Sequence, residues 1–306
     1  MTNKIIVHAG KAHLDEMMAC AILIAHEAIW NDSPTCMAEG WTIERREPTP
    51  EEIEYNDKST FIVDVGGIYN PHQWMFDHHQ LPRGSRDCAM TLVASSLGLP
   101  NAASLAPYEP AKPGEDLMFP VDSFAGLLDK LFPWFRVRAE VDSCGPFAAA
   151  KSRGTDWSSV SGFLGPFEDL VLATFERDPL EAVVPLADMI VSKVRAFEKV
   201  GKAVKTEKPW WGDGDFSIVD FTAADPKLAE EVSDALVPEK GVAVFHDNRG
   251  DGLTLLRLGD DPRIDFTRVK DDPEVAFCHN GGFIVKTRTK DLEKAWRLIE
   301  GAYSGK

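Results

Sequence analysis

The chain is poor in cysteine, poor in positive charge and without long apolar runs, and each shortage excludes something. The five cysteines, Cys20, Cys36, Cys88, Cys144 and Cys278, are scattered and odd in number. None forms a Cys-x-x-Cys pair, which argues against a thiolate zinc site and against a disulfide framework. Reduced thiols in a reducing compartment are the simplest expectation. Lys and Arg number 33 against 49 Asp and Glu, a formal net charge of −16. Broad duplex binding needs many cations against phosphates, so no duplex DNA surface is expected. A short single strand or a nucleotide stays open, because bound cations or a local basic pocket can hold a few phosphates. No apolar run approaches a membrane span. Met1 to Val7 enters a strand-like run at once, with no signal or transit pattern, so the expected location is the cytoplasm.

What is present is ordinary for a folded protein: 306 residues, 44% hydrophobic and 27% charged, enough for one large domain or two average ones. Lys4 to Val7 reads as a buried strand, Asp15 to Trp30 as a helix, Gly40 to Glu47 and Thr60 to Val65 as further strands, and Ala89 to Leu97 as a helix. Segments 121–141, 166–175 and 180–204 are helical by pattern; 101–120 and 151–165 read as loops. This alternation predicts an α/β class with an N-terminal doubly wound, mostly parallel sheet. A turn-rich break, Pro209-Trp210-Trp211-Gly212-Asp213-Gly214, follows Lys205. Beyond it lie strands at Phe216 to Phe221, Val242 to His246, Leu253 to Leu258 and Ile264 to Val269, with helices from Pro226 and Asp291. The expected division is 1–204 for the first domain and 205–306 for a smaller α+β domain. The Trp210-Trp211 doublet reads as packing rather than a base-stacking platform, and His26 as a helix-surface residue.

Four short segments carry the chemistry. They are His8 through His13-x-Asp15-Glu16, Asp64 at a strand's carboxyl end, Asp77-His78-His79, and Asp142. Taken singly, a strand-terminal Asp is often a turn former or helix cap. Together they form a mixed histidine and carboxylate set with no thiolate, which suits Mn²⁺ foremost, with Mg²⁺, Fe²⁺ or Zn²⁺ as alternatives. A pair of divalent cations needs a bridging carboxylate and several terminal ligands, and these candidates supply that number.

His8-Ala9-Gly10 through His13-x-Asp15-Glu16, Val63-Asp64-Val65-Gly66-Gly67-x-Tyr69 and Phe76-Asp77-His78-His79-Gln80 resemble the DHH phosphoesterase superfamily. The likeness is strongest to its Myg (melanocyte proliferating gene) family of exonuclease-like proteins. His279-Asn280-Gly281-Gly282-Phe283-Ile284 extends it into the C-terminal part. Most of the superfamily carries Asp-x-Asp in the first motif; here His13 stands for the first carboxylate, as in the Myg-like families, and the loop around Arg83 departs from the usual pattern. The resemblance implies a DHH-type fold holding two divalent cations. His8 and His13 would hold the first, Asp15, His78 and Asp142 the second, and Asp64 would bridge. His79 would face the scissile phosphate and Asp77 would orient an imidazole. It further implies substrate contacts at His79, Arg83, His279, Gly281, Gly282, Lys286 and Arg288.

The activity so implied is metal-dependent phosphoester hydrolysis, of the 3′–5′ exonuclease or nanoRNase type on short single-stranded RNA or DNA. Two alternatives stand beside it: a small-molecule phosphohydrolase acting on pyrophosphate, a nucleotide or a dinucleotide, and a non-catalytic metal-binding interaction protein. No membrane partner is expected, and a homodimer is one compatible assembly.

Overall fold

The computed structural model describes residues 3–33, 35–36, 38–56, 59–99, 108–110, 112, 119, 123–156, 165–238 and 240–305. The chain divides into two compact units, Met1–Ser192 and Lys193–Lys306. The division falls within helix Pro179–Ala203.

In the first unit β1 (Asn3–Val7), β2 (Trp41–Arg45), β3 (Thr60–Val63), β4 (Tyr69–Asn70) and β5 (Met75–Phe76) form a sheet in the order β2-β1-β3-β5-β4. All pairings are parallel except the β4–β5 edge. The interior strand β1 buries Ile5, Ile6 and Val7 completely. Both of its faces are covered, as parallel strands require, so its sequence is a continuous apolar run rather than an alternation. Helix α1 (Leu14–Trp30) is buried from Asp15 to Ala25 without a break. Its Ala- and Met-rich sequence therefore packs nearly all round, not along one stripe. The remaining described helices of this unit include α2 (Pro50–Glu54), α3 (Ala89–Ser96), α4 (Phe124–Leu131), α5 (Phe135–Cys144) and α6 (Pro146–Ser152), followed by helix Gly165–Arg177. The mixed α/β class and the parallel-rich sheet agree with the sequence expectation.

The second unit has a six-stranded sheet. In chain order its strands are β6 (Lys205–Glu207), β7 (Ser217–Asp220), β8 (Gly241–His246), β9 (Leu253–Leu258), β10 (Val275–Cys278) and β11 (Ile284–Thr287), arranged β10-β11-β9-β8-β7-β6. Helix Leu292–Ala302 supplies Ala295, Leu298, Ile299 and Ala302 to the core on one face. Ala229 and Val232, from helix Pro226–Leu236, join Ala196 and Val200 in a separate cluster.

Several local expectations need correction. Ile264 to Val269 is not a strand: the Asp265 carboxylate accepts from Thr267 N and from its hydroxyl, winding Phe266–Val269 into a 3-10 turn. The strands at Val275–Cys278 and Ile284–Thr287 were not marked in the sequence, because one is broken by a register shift and both are short. Lys151 and Ser152 end a helix rather than open a loop. His26 is no surface residue; its ring lies between Trp30 and Phe124 and its Nε2 meets Gly98 O at 2.8 Å. Of the tryptophan doublet, Trp211 packs on Phe216 and Tyr303 inside the second unit, while Trp210 is exposed. Most of the 101–120 loop lies outside the described residues.

Candidate metal centre

Strand register assembles the site. Val7 pairs with Val63, and Val63 with Phe76, so the three adjacent parallel strands end level. The next residues, His8, Asp64 and Asp77, therefore emerge side by side at the carboxyl edge of the sheet, where open α/β sheets bind ligands. The loop after His8 reaches α1, whose N-cap is His13 and whose first turn carries Asp15 and Glu16. Helix α5 brings Asp142 from a distant part of the chain.

Asp64 lies at the centre. It is buried and sits at φ +56°, a left-handed conformation that only a few non-glycine residues adopt and that Asp tolerates better than most. Its Oδ1 is 3.2 Å from His78 Nε2 and 3.6 Å from His79 Nδ1, and its Oδ2 is 3.6 Å from His8 Nε2. His78 Nε2 also lies 3.5 Å from Asp142 Oδ2 and 3.8 Å from Asp15 Oδ2. Among the described residues three groups of donor atoms lie close enough to share an ion: His8, His13 and Asp64; Asp64, His78 and His79; Asp15, His78 and Asp142. Asp64 belongs to two of them, and so does His78.

Asp77 has a different place. Its Oδ2 accepts from Gly67 N at 2.7 Å, and its Oδ1 meets both His79 N and His79 Nδ1 at 2.8 Å. Burial pushes its carboxyl up, but the bonds from His79 and Gly67 outweigh that and hold it below its usual value. Asp77 thus fixes the loop and one ring rather than joining a donor group.

The electrostatics point to cations. Burial first, then the charge of Asp15, pushes the Asp64 carboxyl up to about 8, and the same two causes push Asp142 up to about 8. Burial pushes Glu16 up to about 7. Both Asp64 oxygens, Asp15 Oδ1, Glu16 Oε2 and His8 Nε2 are buried without a hydrogen-bond partner. Orphaned polar atoms are rare in folded proteins and costly. Here five of them gather at one spot, and all can offer a lone pair. Divalent cations satisfy such a set, so the residues present fit the ions that the sequence implied. The amino-terminal ends of two helices face the same place: Asp15 stands in the first turn of α1, and Asp15 Oδ2 accepts from Ala89 N of α3 at 3.3 Å. A cavity of about 300 Å³ adjoins the centre, lined by His13, Asp15 and Asp142 together with Lys11, Arg138 and Glu168.

Not all sequence candidates meet here. Arg83 is exposed on the loop after His79. Apart from His79, the other substrate candidates belong to the second unit. There the amides of Gly281 and Gly282 are engaged within their own turn, donating to His279 Nδ1 at 3.0 Å and His279 O at 2.8 Å. Gly282 has φ +64°, and a Cβ on it would lie 2.2 Å from Asp265 Oδ1, so this glycine serves a close backbone approach. Lys286 is paired with Asp247, and the side chains of His279 and Arg288 face solvent. A cavity of about 280 Å³ in this unit combines Lys286 with His246, Asn248 and Arg249 over Phe245 and Leu256. His246 and Arg249 had no motif to reveal them. Glu16 and Arg45 were also missed as members of the first site. The adjacent Asp15-Glu16 pair was a signal for Glu16, but nothing in the sequence linked Arg45 to it.

The fold and the donor set define an α/β protein with a histidine and aspartate centre compatible with divalent cations. Comparison with known proteins agrees over the part of the chain that holds most of that centre. Residues 4–99 match the model of the family described as MYG1_exonuc, Uncharacterised protein family (UPF0160), which is of the DHH phosphoesterase type. The Myg resemblance therefore holds for this segment, which carries His8, His13, Asp15, Asp64 and Asp77 to His79 but not Asp142. A MYG1 protein of Chlamydia pneumoniae is 34% identical over 74 residues, which are 24% of this chain and 21% of that relative. The match thus spans about a fifth of the relative's length. A pGpG-specific phosphodiesterase, PggH from Vibrio cholerae, aligns over 98% of this chain and 99% of its own at 10% identity and a TM-score of 0.27, a likeness too slight to carry an argument.

Proposed function

We propose that this chain is a divalent-metal-dependent phosphoester hydrolase acting on short single-stranded RNA or DNA, removing nucleotides from the 3′ end. The observation that carries the reading is Asp64: a buried carboxylate with both oxygens unpartnered, one facing His8 and the other His78. That is the arrangement of a bridging ligand. His8 and His13 would complete one cation site, and Asp15, His78 and Asp142 the other. When bound, paired divalent cations, Mn²⁺ foremost, make a shared water acidic and offset charge on phosphoryl oxygens.

The chain's own groups do the rest. Asp77 holds the His79 ring through Nδ1, so Nε2 is the nitrogen left to meet a phosphoryl oxygen. The ring is 59% exposed, open enough to reach substrate. The cavity beside Asp15 and Asp142 offers room for the part of the substrate flanking the scissile phosphate. In the second unit, Lys286 and Arg249 line a separate cavity and offer positive charge there. The experiment is to load the protein with Mn²⁺ and offer 5′-labelled RNA and DNA oligonucleotides, dinucleotides and pyrophosphate, with Asp64→Asn as control. A ladder shortening from the 3′ end supports the reading; intact oligonucleotides of both kinds overturn it.

The net charge of −16 favours a second reading, a phosphohydrolase for a small anion such as pyrophosphate or a nucleotide. A long polyanion is repelled by such a surface, whereas a small anion can be gathered by bound cations. Phosphate release from pyrophosphate or nucleotides with no cleavage of oligonucleotides would select it.

A further inference from the structure

We propose that Glu16 supplies the charge that favours a cation at the site of His8, His13 and Asp64, and that Arg45 holds it in place. This rests on the metal-centre reading and adds to it a carboxylate outside all three donor groups.

Glu16 closes a capping box at the start of α1: its Oε1 accepts from His13 N at 2.9 Å. If that were its whole role, the second oxygen would be expected in water, as at an ordinary surface helix end. Instead the side chain is 0% exposed and Oε2 has no hydrogen-bond partner. That oxygen faces His8 Nε2 at 3.5 Å. His8 Nδ1 lies 2.7 Å from Ala9 O, a contact that is attractive only when Nδ1 carries the proton. In that tautomer Nε2 bears a lone pair. Once both carboxyls are ionised, Nε2 looks at Glu16 Oε2 on one side and at Asp64 Oδ2, 3.6 Å away, on the other, with no donor among them. A cation on Nε2 turns this repulsive set into an attractive one.

Arg45 explains how the carboxylate is kept there. Its Nη2 donates to Gly10 O at 2.8 Å and lies 3.7 Å from Glu16 Oε1, and its guanidinium sits over the Phe175 ring, 5.1 Å from the centroid. Glu176 accepts from Ala12 N at 2.8 Å. The loop between His8 and α1 is thus held at Gly10, Ala12 and His13 by three charged side chains, Arg45, Glu176 and Glu16. Arg45 stands nearer one oxygen of Glu16, and the other is left facing the cation site. The Ala9 carbonyl holds the His8 ring through Nδ1, and Glu16 supplies, beside Nε2, negative charge that strengthens cation binding there.

The test separates this role from helix capping by two variants of the full chain. Glu16→Gln keeps the shape and an oxygen to accept the His13 amide, so it keeps the cap and loses the charge. Glu16→Asp keeps the charge and shortens the reach. Mn²⁺ is titrated into each and free Mn²⁺ is read by electron paramagnetic resonance, with thermal melting of the metal-free proteins alongside. The expected result is that Glu16→Gln weakens one of two bound ions by about 10- to 100-fold without lowering the metal-free melting temperature, and that Glu16→Asp binds more tightly than Glu16→Gln. Wild-type affinity in Glu16→Gln, with loss confined to Glu16→Asp, overturns the proposal and leaves a plain cap. A wild-type chain that binds no Mn²⁺ also overturns it. A chain that binds both ions with the expected ranking but cleaves no phosphoester refutes the proposed function and leaves this inference standing.

Discussion

Asp64 and His78 face each other across 3.2 Å, carboxylate oxygen to imidazole Nε2, although they arrive on loops that follow different strands. The other oxygen of Asp64 looks toward His8. The same His78 nitrogen lies within 4 Å of Asp15 and Asp142 as well. One carboxylate and one imidazole therefore link all three donor groups, and the consequences of altering them differ.

Asp64→Asn is expected to reduce hydrolysis by more than about 100-fold, since it removes the charge shared by two cation sites. Asn tolerates the left-handed backbone at φ +56°, so the fold should persist. The metal-free variant should melt higher than wild type at pH 8, because a buried carboxylate beside Asp15 and Glu16 is no longer forced to ionise. Activity assays with calorimetry check both parts.

The metal-free protein should lose stability as pH rises from about 4 to about 8. Burial and neighbouring charge raise Asp64 from 3.8 to about 8 and Asp142 from 3.8 to about 8, while burial raises Glu16 from 4.5 to about 7. For each, the folded state holds its proton more tightly than the unfolded state does. Their contribution is complete below the unfolded values and is lost as pH climbs through the folded ones. Melting temperatures in a chelator should fall across this range. In Mn²⁺ the fall should largely disappear, because cations favour the ionised carboxylates.

Asp142→Ala should remove one ion and spare the other. Its carboxylate serves only the group with Asp15 and His78, and its side chain is 25% exposed. Calorimetric titration should then show one Mn²⁺ site with affinity near wild type, with hydrolysis falling by more than about 100-fold. Loss of both ions would mean that α5 organises the whole centre.

Gly10→Ala should destabilise the fold by about 1 kcal/mol. Gly10 has φ +106°, and a Cβ there would meet nothing within 4 Å, so the cost is backbone strain and not a clash. The turn also presents Gly10 O to Arg45, so Mn²⁺ affinity should fall with stability. Chemical denaturation and a metal titration measure the two effects.

Lys286→Met should raise KM for oligonucleotides and leave Mn²⁺ affinity unchanged, if the second unit binds phosphate through this residue. Lys286 is paired with Asp247, so the variant also removes that ion pair and leaves the carboxylate the Arg249 amide, and a small loss of stability is expected. An unaltered KM would remove Lys286 from the substrate surface.

Most of the donor residues were legible in the sequence because they closely follow a strand or stand at a helix's start, where His and Asp stand out from an apolar background; Asp142, in the last turn of α5, is the exception. His8 and Asp64 needed only the recognition of two strands, whereas the two-residue strand Met75–Phe76 that delivers Asp77 to the same edge was not marked. The apolar runs, the mixed α/β class and the helix after the first motif followed from the same local patterns. Which donors actually share an ion, the left-handed backbone of Asp64, the engagement of Asp77 with His79 and the burial of Glu16 against His8 were decided by the tertiary structure alone. Arg45 is the clearest case: it comes from a neighbouring strand to a loop far from it in the chain, held by one carbonyl, one carboxylate and one aromatic face. Local sequence encodes periodicity and caps, whereas distances between residues remote in the chain arise only when strand register and helix packing close the fold.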